Sequence, residues 1–184
     1  MNNTTLETLA ELEKTQTDFW NISRATGNFL NMLVKIAKCK SGLEIGTSNG
    51  YSGLWLGWAF KENGGKLTTI EFWEKRQCIA REHFKNCGIE DVINPIIGSA
   101  TDILKEWTEP LDFVFIDANK GQYIEFFELV DKFLVKGGVL TADNITSHSE
   151  KVKPFVDKIM TDERYQVEIL DLPAGLLVAY KISE

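Results

Sequence analysis

The chain has 184 residues, 43% of them hydrophobic, so it can form one sizeable core but is too short for two ordinary domains with linkers. Its 20 Lys and Arg residues against 27 Asp and Glu give a formal net charge of -7, which disfavours nucleic acid as a partner because the phosphates would be repelled. No apolar run is long enough to predict a membrane-spanning helix.

The cysteines and the N-terminus indicate the cellular compartment. Cys39, Cys78 and Cys87 form no CxxC pair and each lies in a helical pattern, which indicates reduced thiols rather than disulfides or metal ligands. The first residues are polar and acidic and lack the apolar segment of a secretory signal. We therefore expect a soluble, cytoplasmic protein with a single domain over residues 1–184.

The first forty residues predict two helices of different character. The first, capped by Thr4 or Thr5, runs to about Trp20 with a narrow apolar stripe, typical of a helix that lies on a domain or against a second subunit. After a break over 21–25, a second helix over Thr26–Cys39 is apolar on more than half of its surface and should be buried. We expect residues 1–40 to pack on the core or cap it.

The stretch from Leu43 to Ser52 predicts a strand, a tight turn and a helix. Leu43 and Ile45 form a short apolar run, two glycines follow, and an apolar helical pattern covers Tyr51–Phe60. Such a turn directs backbone N–H groups and a helix N-terminus towards a ligand, so it can hold a polar or anionic group.

The remaining chain alternates between strand and helix patterns. Helices are predicted at 74–87, 102–107, from Gln122 to the glycines 137–138, and at 150–160. Strands are predicted at Lys66–Ile70, Val92–Ile97, Asp112–Ile116, Val139–Ala142, Tyr165–Leu170 and Leu176–Ile182. Parallel strands need crossover helices, whereas the last connection is too short for one. The pattern therefore predicts an α/β fold with a mostly parallel seven-stranded sheet, helices on both faces and an antiparallel C-terminal strand.

Ligands of such sheets bind beyond the carboxyl ends of the strands. The residues there are 46–50, Glu71, Ser99 with Ala100, Asp117, and Asp143 with Asn144. A carboxylate at Glu71 can accept both hydroxyls of a ribose and disfavours a 2′-phosphate, which favours an adenosyl group as ligand.

Three oxygen donors follow the fourth and fifth strands. Asp117, Asp143 and Asn144 suit Mg²⁺ or a similar cation if those strands are neighbours. Lys120 can reach the same space, and a nearby divalent cation would disfavour its ammonium form and fit it for proton abstraction. The alternatives are that Asp117 holds a loop or a ligand amine, that Asp143 and Asn144 form an ordinary turn, and that Lys120 is solvated.

Four motifs resemble a known family. They are Leu43 to Ser52 (LEIGTSNGYS), Thr68 to Glu71 (TTIE), Phe115 to Lys120 (FIDANK) and Gly137 to Asn144 (GGVLTADN). Together they resemble the S-adenosylmethionine-dependent O-methyltransferases of the catechol and caffeoyl-CoA type, over about Thr26 to Tyr180. The resemblance implies a Rossmann-like methyltransferase fold and a homodimer.

The resemblance also implies roles for individual residues. Glu44, Gly46 and Ser52 would lie around the methionine end of the cofactor, Glu71 would bind the ribose, Phe72 and Ala100 would flank the adenine, and Asp117 would lie close to the methionine amine. Asp117, Asp143 and Asn144 would ligate Mg²⁺, Mn²⁺ or Ca²⁺, with Lys120 as the catalytic base. The implied reaction moves a methyl group to a hydroxyl of a catechol-like or other small phenolic acceptor.

The sequence departs from the family pattern on the acceptor side. Asn119 stands where many relatives have a second acid, and the segment 145–148 after Asn144 lacks the longer loop of larger members. A shallow acceptor site of this kind would admit varied substrates. The role of His148, just beyond the predicted cation site, stays open.

Other functions remain as alternatives. The order Ser48, Asp143, His148 within a G-x-S-x-G context fits an α/β-hydrolase triad, although the oxyanion motif is missing. A dinucleotide oxidoreductase would share Glu71, but the glycines are not spaced as G-x-G-x-x-G. A third alternative is a protein of this fold that binds the cofactor without turnover or acts on a non-phenolic substrate.

Overall fold

Strands and helices alternate along the chain in the computed structural model, which describes all residues 1–184. The helices are α1 Asn3–Lys14, α2 Gln16–Phe19, α3 Arg24–Ile36, α4 Tyr51–Asn63, α5 Glu74–Asn86, α6 Ala100–Lys105, α7 Tyr123–Val130 and α8 Ser149–Met160. The strands are β1 Ser41–Ile45, β2 Lys66–Glu71, β3 Ile93–Ile97, β4 Leu111–Ile116, β5 Leu134–Ala142, β6 Tyr165–Leu170 and β7 Leu176–Lys181. None of the helices combines the length and the apolar character needed to cross a membrane.

The seven strands form one sheet in the order β3-β2-β1-β4-β5-β7-β6. β1 pairs in parallel with both β2 and β4. β7 is antiparallel to β5 and β6, because the short connection after β6 leaves no room for a crossover. The predicted α/β fold with a mostly parallel sheet is therefore confirmed. The strand order reverses between β1 and β4, which is where open α/β sheets bind their ligands.

Two apolar cores cover the two faces of the sheet. In β4, Phe113 and Phe115 belong to the core under α1, α3, α4 and α5, whereas Val114 and Ile116 belong to the core under α6, α7 and α8. All four side chains are fully buried. Because both faces are covered, residues 113–116 of β4 form a continuous apolar run, and the carboxyl end of the strand lies at the centre of the sheet.

The single helix predicted over 5–20 is wrong. α1 ends at Lys14, and the short helix α2 follows after Thr15, whose backbone (φ -112°, ψ 25°) is not helical. The Thr15 hydroxyl and the Asn21 amide donate to the Leu12 carbonyl at 3.3 and 3.2 Å. In a continuing α-helix the Leu12 carbonyl would accept the N–H of Gln16. These side-chain bonds satisfy it instead, and α1 therefore ends there.

Capping residues also shift the predicted helix starts. Asn2, rather than Thr4 or Thr5, accepts the Thr5 N–H at the start of α1. Ser23 accepts the Thr26 N–H, so α3 begins at Arg24, within the predicted break. The buried side chain of Leu9 belongs to the same core as α4, so α1 packs against the rest of the chain.

The helix predicted from Gln122 ends earlier than its apolar pattern suggests. α7 ends at Val130, and Leu134, expected on its apolar face, begins β5 and pairs with Leu111. The Lys181 ammonium donates to the Asp131 and Leu134 carbonyls at 2.7 and 2.9 Å. The turn between α7 and β5 therefore depends on a residue 47 positions after Leu134, which no local pattern contains.

Replacing Lys181 by methionine tests this anchor. Lys181 is buried and also lies 3.1 Å from the Asp131 carboxylate. Lys181→Met therefore removes the ion-pair partner of Asp131 and the group that donates hydrogen bonds to two backbone carbonyls. We expect the free energy of unfolding to fall by about 3 kcal/mol in urea denaturation. Lys136→Met, at an exposed lysine of β5, is the control and should change it by less than about 0.5 kcal/mol. An equal loss in both variants would contradict the anchoring role.

Candidate active site

The first residue beyond each of four strands is tied by its N–H to the neighbouring strand. The N–H groups of Gly98, Gly46, Asp117 and Asp143 donate to the carbonyls of Glu71, Ile70, Ile45 and Ile116 at 2.9, 2.9, 2.9 and 3.1 Å, respectively. These bonds extend the parallel ladders past the last strand residues. The residues that follow the strands therefore meet along one edge in fixed register.

Gly46 brings the ends of β1 and β4 close together. Its backbone is left-handed, with φ 104°, and a Cβ on it would overlap the Asp117 carbonyl oxygen. Any other residue at this position would combine backbone strain with displacement of Asp117. The glycine is thus required by the packing of the strand ends.

A cleft of about 550 Å³ opens above these strand ends, within the size range of small-molecule sites. Six of the residues predicted for the site line it: Gly46, Glu71, Phe72, Ala100, Asp117 and Lys120. Four others do not line it: Glu44, Ser52, Asp143 and Asn144. The structure therefore brings most of the predicted residues to one cavity and places the rest outside its lining.

Glu71 has a fixed carboxylate in this cleft. One oxygen accepts the Ser48 N–H at 2.8 Å, and the other accepts the Trp73 N–H at 3.0 Å. Each carboxylate oxygen can accept a further bond. Glu71 can therefore accept ligand hydroxyls without reorienting.

Glu44 is a fully buried carboxyl group at the end of β1. The Ser52 and Thr69 hydroxyls donate to it at 2.5 and 2.6 Å. Burial raises the pKa of Glu44 to about 7, while these two hydrogen bonds act in the opposite direction and the charges of Asp117 and Glu71 add to the rise. Glu44 thus titrates near neutral pH in the folded protein.

Asp117 and Asp143 follow adjacent strands, since Ile116 of β4 lies opposite Ala142 of β5. Asp117 Oδ1 lies 2.8 Å from Lys120 Nζ. Asp143 is buried, and its Oδ1 has no hydrogen-bond partner. Burial and then the charge of Asp117 raise the pKa of Asp143 to about 7. The ammonium group of Lys120 thus pairs with Asp117 only, and a buried oxygen of Asp143 is left without a hydrogen-bond partner.

Asn144 adds an amide oxygen at the end of β5. Its amide nitrogen donates to the Ser147 hydroxyl at 3.3 Å. The structure contains no cluster of three or more His, Cys, Asp or Glu side chains that could hold a metal. The oxygen donors at these strand ends are the carboxylates of Asp117 and Asp143 and the amide of Asn144. Hard divalent cations prefer such oxygens, and the unpartnered oxygen of Asp143 beside Asp117 fits one, because a cation would supply the missing positive charge.

The hydrolase triad does not form. The Ser48 hydroxyl donates to the Phe19 carbonyl at 3.1 Å, whereas His148 Nδ1 lies 3.0 Å from the neighbouring Ser147 hydroxyl. Ser48 has no contact with a histidine that could activate it. This arrangement disfavours nucleophilic catalysis by Ser48.

Phe19, Trp20 and Arg76 are among the lining residues that were not assigned to the site from the sequence. Phe19 and Trp20 line the cleft together with Arg76, and the Arg76 guanidinium lies 5.9 and 4.9 Å from their ring centroids. The only sequence signal for Arg76 is that it lies in the first turn of α5, shortly after Glu71. Phe19 and Trp20 were not assigned to the cleft because the sequence predicted that the first helix continues to about Trp20.

The fold and the site define a class of protein. It is a doubly wound α/β domain whose ligand cleft lies at the carboxyl edge of the sheet, with a carboxylate after β2 that suits ribose hydroxyls. A family model described as O-methyltransferase matches residues 2–182. The chain therefore belongs to the O-methyltransferase family, and the predicted resemblance is confirmed.

Individual relatives point to the same family. A catechol O-methyltransferase of Niastella koreensis is 33% identical over 129 residues, which are 68% of this chain but only 58% of that protein. A putative caffeoyl-CoA O-methyltransferase of Arabidopsis thaliana is 34% identical, with 96% of this chain and 87% of that protein covered. The crystal structure of an O-methyltransferase from Bacillus cereus in complex with SAH has a TM-score of 0.85 at 27% identity, covering 98% of this chain and 92% of that one.

The pKa of Glu44 predicts how stability depends on pH. Its folded pKa of about 7 lies above the ordinary 4.5, so the folded state retains a proton that the unfolded chain releases between these values. The contribution of Glu44 to the free energy of unfolding is therefore largest below about pH 4.5. It falls by on the order of 3 kcal/mol as the pH rises to about 7. Asp143 contributes in the same direction.

Glu44→Gln should flatten this dependence. We expect its free energy of unfolding, measured by urea denaturation without added metal, to differ less between pH 5 and pH 8 than that of the parent, with the Asp143 contribution remaining. Glu74→Gln, at an exposed glutamate, is the control and should keep the parent's pH dependence. Identical pH profiles for the parent and Glu44→Gln would show that Glu44 does not titrate in this range.

Proposed function

We propose that the protein transfers the methyl group of S-adenosylmethionine to a hydroxyl of a catechol-like or other small phenolic acceptor, with the assistance of a divalent cation. The observation that carries this proposal is the position of Asp117 and Asp143 on adjoining strand ends, with Lys120 paired to the first and an oxygen of the second unpartnered. Family membership and the names of the relatives support the reaction class.

The charge around the cleft supports a cationic cofactor. Glu71 and Asp117 line it together with Arg76 and Lys120, and Glu44 lies buried at the end of β1. Lys120 is already paired with Asp117, whereas Arg76 packs against Phe19 and Trp20. The acids that follow β1, β2 and β4 therefore suit a sulfonium and an ammonium group. In this proposal Glu71 accepts the ribose hydroxyls, Phe72 and Ala100 flank the adenine, and Gly46, Glu44 and Ser52 surround the methionine end.

The acceptor side is assigned to Asp117, Asp143 and Asn144, which would hold the cation, and to Lys120. A divalent cation bound there would lower the pKa of an acceptor hydroxyl, and S-adenosylmethionine would supply the electrophilic methyl group. Lys120 Nζ lies at the cleft wall beside Asp117. After the ion pair opens and the ammonium group releases a proton to solvent, the neutral amine can take the proton of the acceptor hydroxyl. Fixed strand ends keep the methyl donor and the acceptor in line, which supplies much of the rate enhancement.

Calorimetry on the parent protein and Asp117→Asn tests the cofactor and cation assignments together. We expect the parent to bind S-adenosylmethionine and S-adenosylhomocysteine, and to bind Mg²⁺ or Mn²⁺ at least about tenfold more tightly than Asp117→Asn does. Asp91→Asn, at an exposed aspartate outside the cleft, should match the parent. Equal cation affinity in all three proteins would remove Asp117 from the cation site.

Methyl transfer to a simple diphenol then separates an enzyme from a protein that only binds the cofactor. We expect transfer with Mg²⁺ or Mn²⁺ and its loss in excess chelator. Full activity in chelator would remove the cation from the mechanism. Tight cofactor binding without transfer to any diphenol would favour a non-phenolic substrate or binding without turnover.

Lys120→Ala tests the base. Its loss should reduce kcat by about 100-fold or more, with the affinity for S-adenosylmethionine little changed, because general-base catalysis acts on the proton transfer. Lys120→Arg keeps the charge opposite Asp117 but not the basicity, so it should not restore activity. Lys151→Ala, at an exposed lysine of α8, is the control. Parent-like kcat in Lys120→Ala would show that another group or water takes the proton.

A further inference from the structure

Tyr123 contacts two parts of the proposed acceptor site, Asp143 at the end of β5 and Lys120 after β4. It is the first residue of α7 and is fully buried. Its hydroxyl donates to the Asp143 carbonyl at 3.2 Å, and Lys120 Nζ lies 5.7 Å from its ring centroid. One side chain thus touches the end of β5 and supports the lysine that follows β4.

The Asp143 carbonyl is where the backbone changes direction. The Asp143 N–H still extends the sheet ladder, by donating to the Ile116 carbonyl at 3.1 Å. The next residue, Asn144, is left-handed with φ 64°. Side chains of successive strand residues point to opposite faces, and only a departure from strand geometry can direct two neighbouring side chains to one point. The peptide between Asp143 and Asn144 therefore determines whether both oxygens serve one cation.

Tyr123 is the side chain that holds this peptide. The Asp143 carbonyl accepts the Tyr123 hydroxyl in a buried environment, where an unsatisfied carbonyl would be costly. The Tyr123 ring is fixed in turn by an edge-to-face contact with Phe155, with 5.9 Å between centroids. The hydroxyl therefore has a defined position from which to orient the peptide.

We infer that Tyr123 is a positioning residue, which orients the Asp143–Asn144 peptide and supports the Lys120 ammonium so that the cation ligands and the base stay in register. This inference rests on the proposed cation-assisted reaction. Tyr123 is fully buried and acts through the Asp143 carbonyl and Lys120, rather than on substrate or cofactor.

Tyr123→Phe removes only the hydroxyl and keeps the ring that packs on Phe155. We expect its affinity for Mn²⁺, measured by calorimetry, to fall by about tenfold or more, as for other groups that orient metal ligands. Its affinity for S-adenosylhomocysteine should stay within about twofold of the parent value, since the residue acts on the acceptor side. We expect kcat to fall while KM for S-adenosylmethionine is kept.

Tyr165→Phe is the matched control. Tyr165 is also buried, and its hydroxyl donates to Asp131 at 2.6 Å, away from the strand ends that form the cleft. This variant should lose stability but bind Mn²⁺ as the parent does, which separates positioning from a general loss of stability. Tyr123→Leu, which also removes the ring beneath Lys120 and its packing on Phe155, should bind Mn²⁺ no better than Tyr123→Phe.

Parent-like Mn²⁺ affinity in folded Tyr123→Phe or Tyr123→Leu, with a parent protein that binds Mn²⁺, would overturn the positioning role and leave the proposed function intact. An equal loss of Mn²⁺ affinity in Tyr165→Phe would also overturn it. If the parent itself binds no divalent cation, the cation assignment and this inference both fall.

Discussion

The site depends on the close approach of β1 and β4 at Gly46. The strand order reverses there, and only a residue without a Cβ lets the turn after β1 pass against the Asp117 carbonyl. The backbone bonds from Gly46 to Ile70 and from Asp117 to Ile45 then align three strand ends. Side chains that follow these strands are therefore positioned by the sheet rather than by loops, which gives a site the precision that in-line transfer between two bound molecules requires.

This arrangement concentrates negative charge at one edge of the sheet. Glu44 and Asp143 are buried, and burial raises the pKa of each to about 7. The ionised form of each group is therefore less favourable in the folded protein than in the unfolded chain. Lys120 offsets part of this charge through its ion pair with Asp117. A positively charged ligand would relieve the remainder, so ligand affinity and ligand-free stability are opposed here. The excess of carboxylates at this edge lowers the free energy of unfolding of the protein without ligand. In the proposed reaction, the same excess favours binding of the sulfonium group and of the divalent cation.

The sequence predicted the mostly parallel sheet, its antiparallel strand and six of the residues that line the cleft, because each depends on local patterns. Alternation of strand and helix predicts parallel strands, and the strand-end rule then locates Glu71 and Asp117 without knowledge of any contact. The contribution of Trp20 could not be predicted in this way, because α1 ends where the Asn21 amide bonds back to Leu12. The early end of α7 likewise depends on Lys181, far along the chain.

The two ends of the cleft are built differently. At the proposed cofactor end, Arg76 stacks against Phe19 and Trp20, so aromatic rings and a cation form a wall beside Glu71. At the proposed acceptor end, the segment 146–149 after Asn144 is exposed and places no apolar wall beside the proposed cation ligands. An acceptor there gains little from burial of its ring, whereas two adjacent oxygens could bind one cation. In the proposed reaction, selection of the acceptor therefore depends more on the spacing of its oxygens than on the shape of the rest of the molecule.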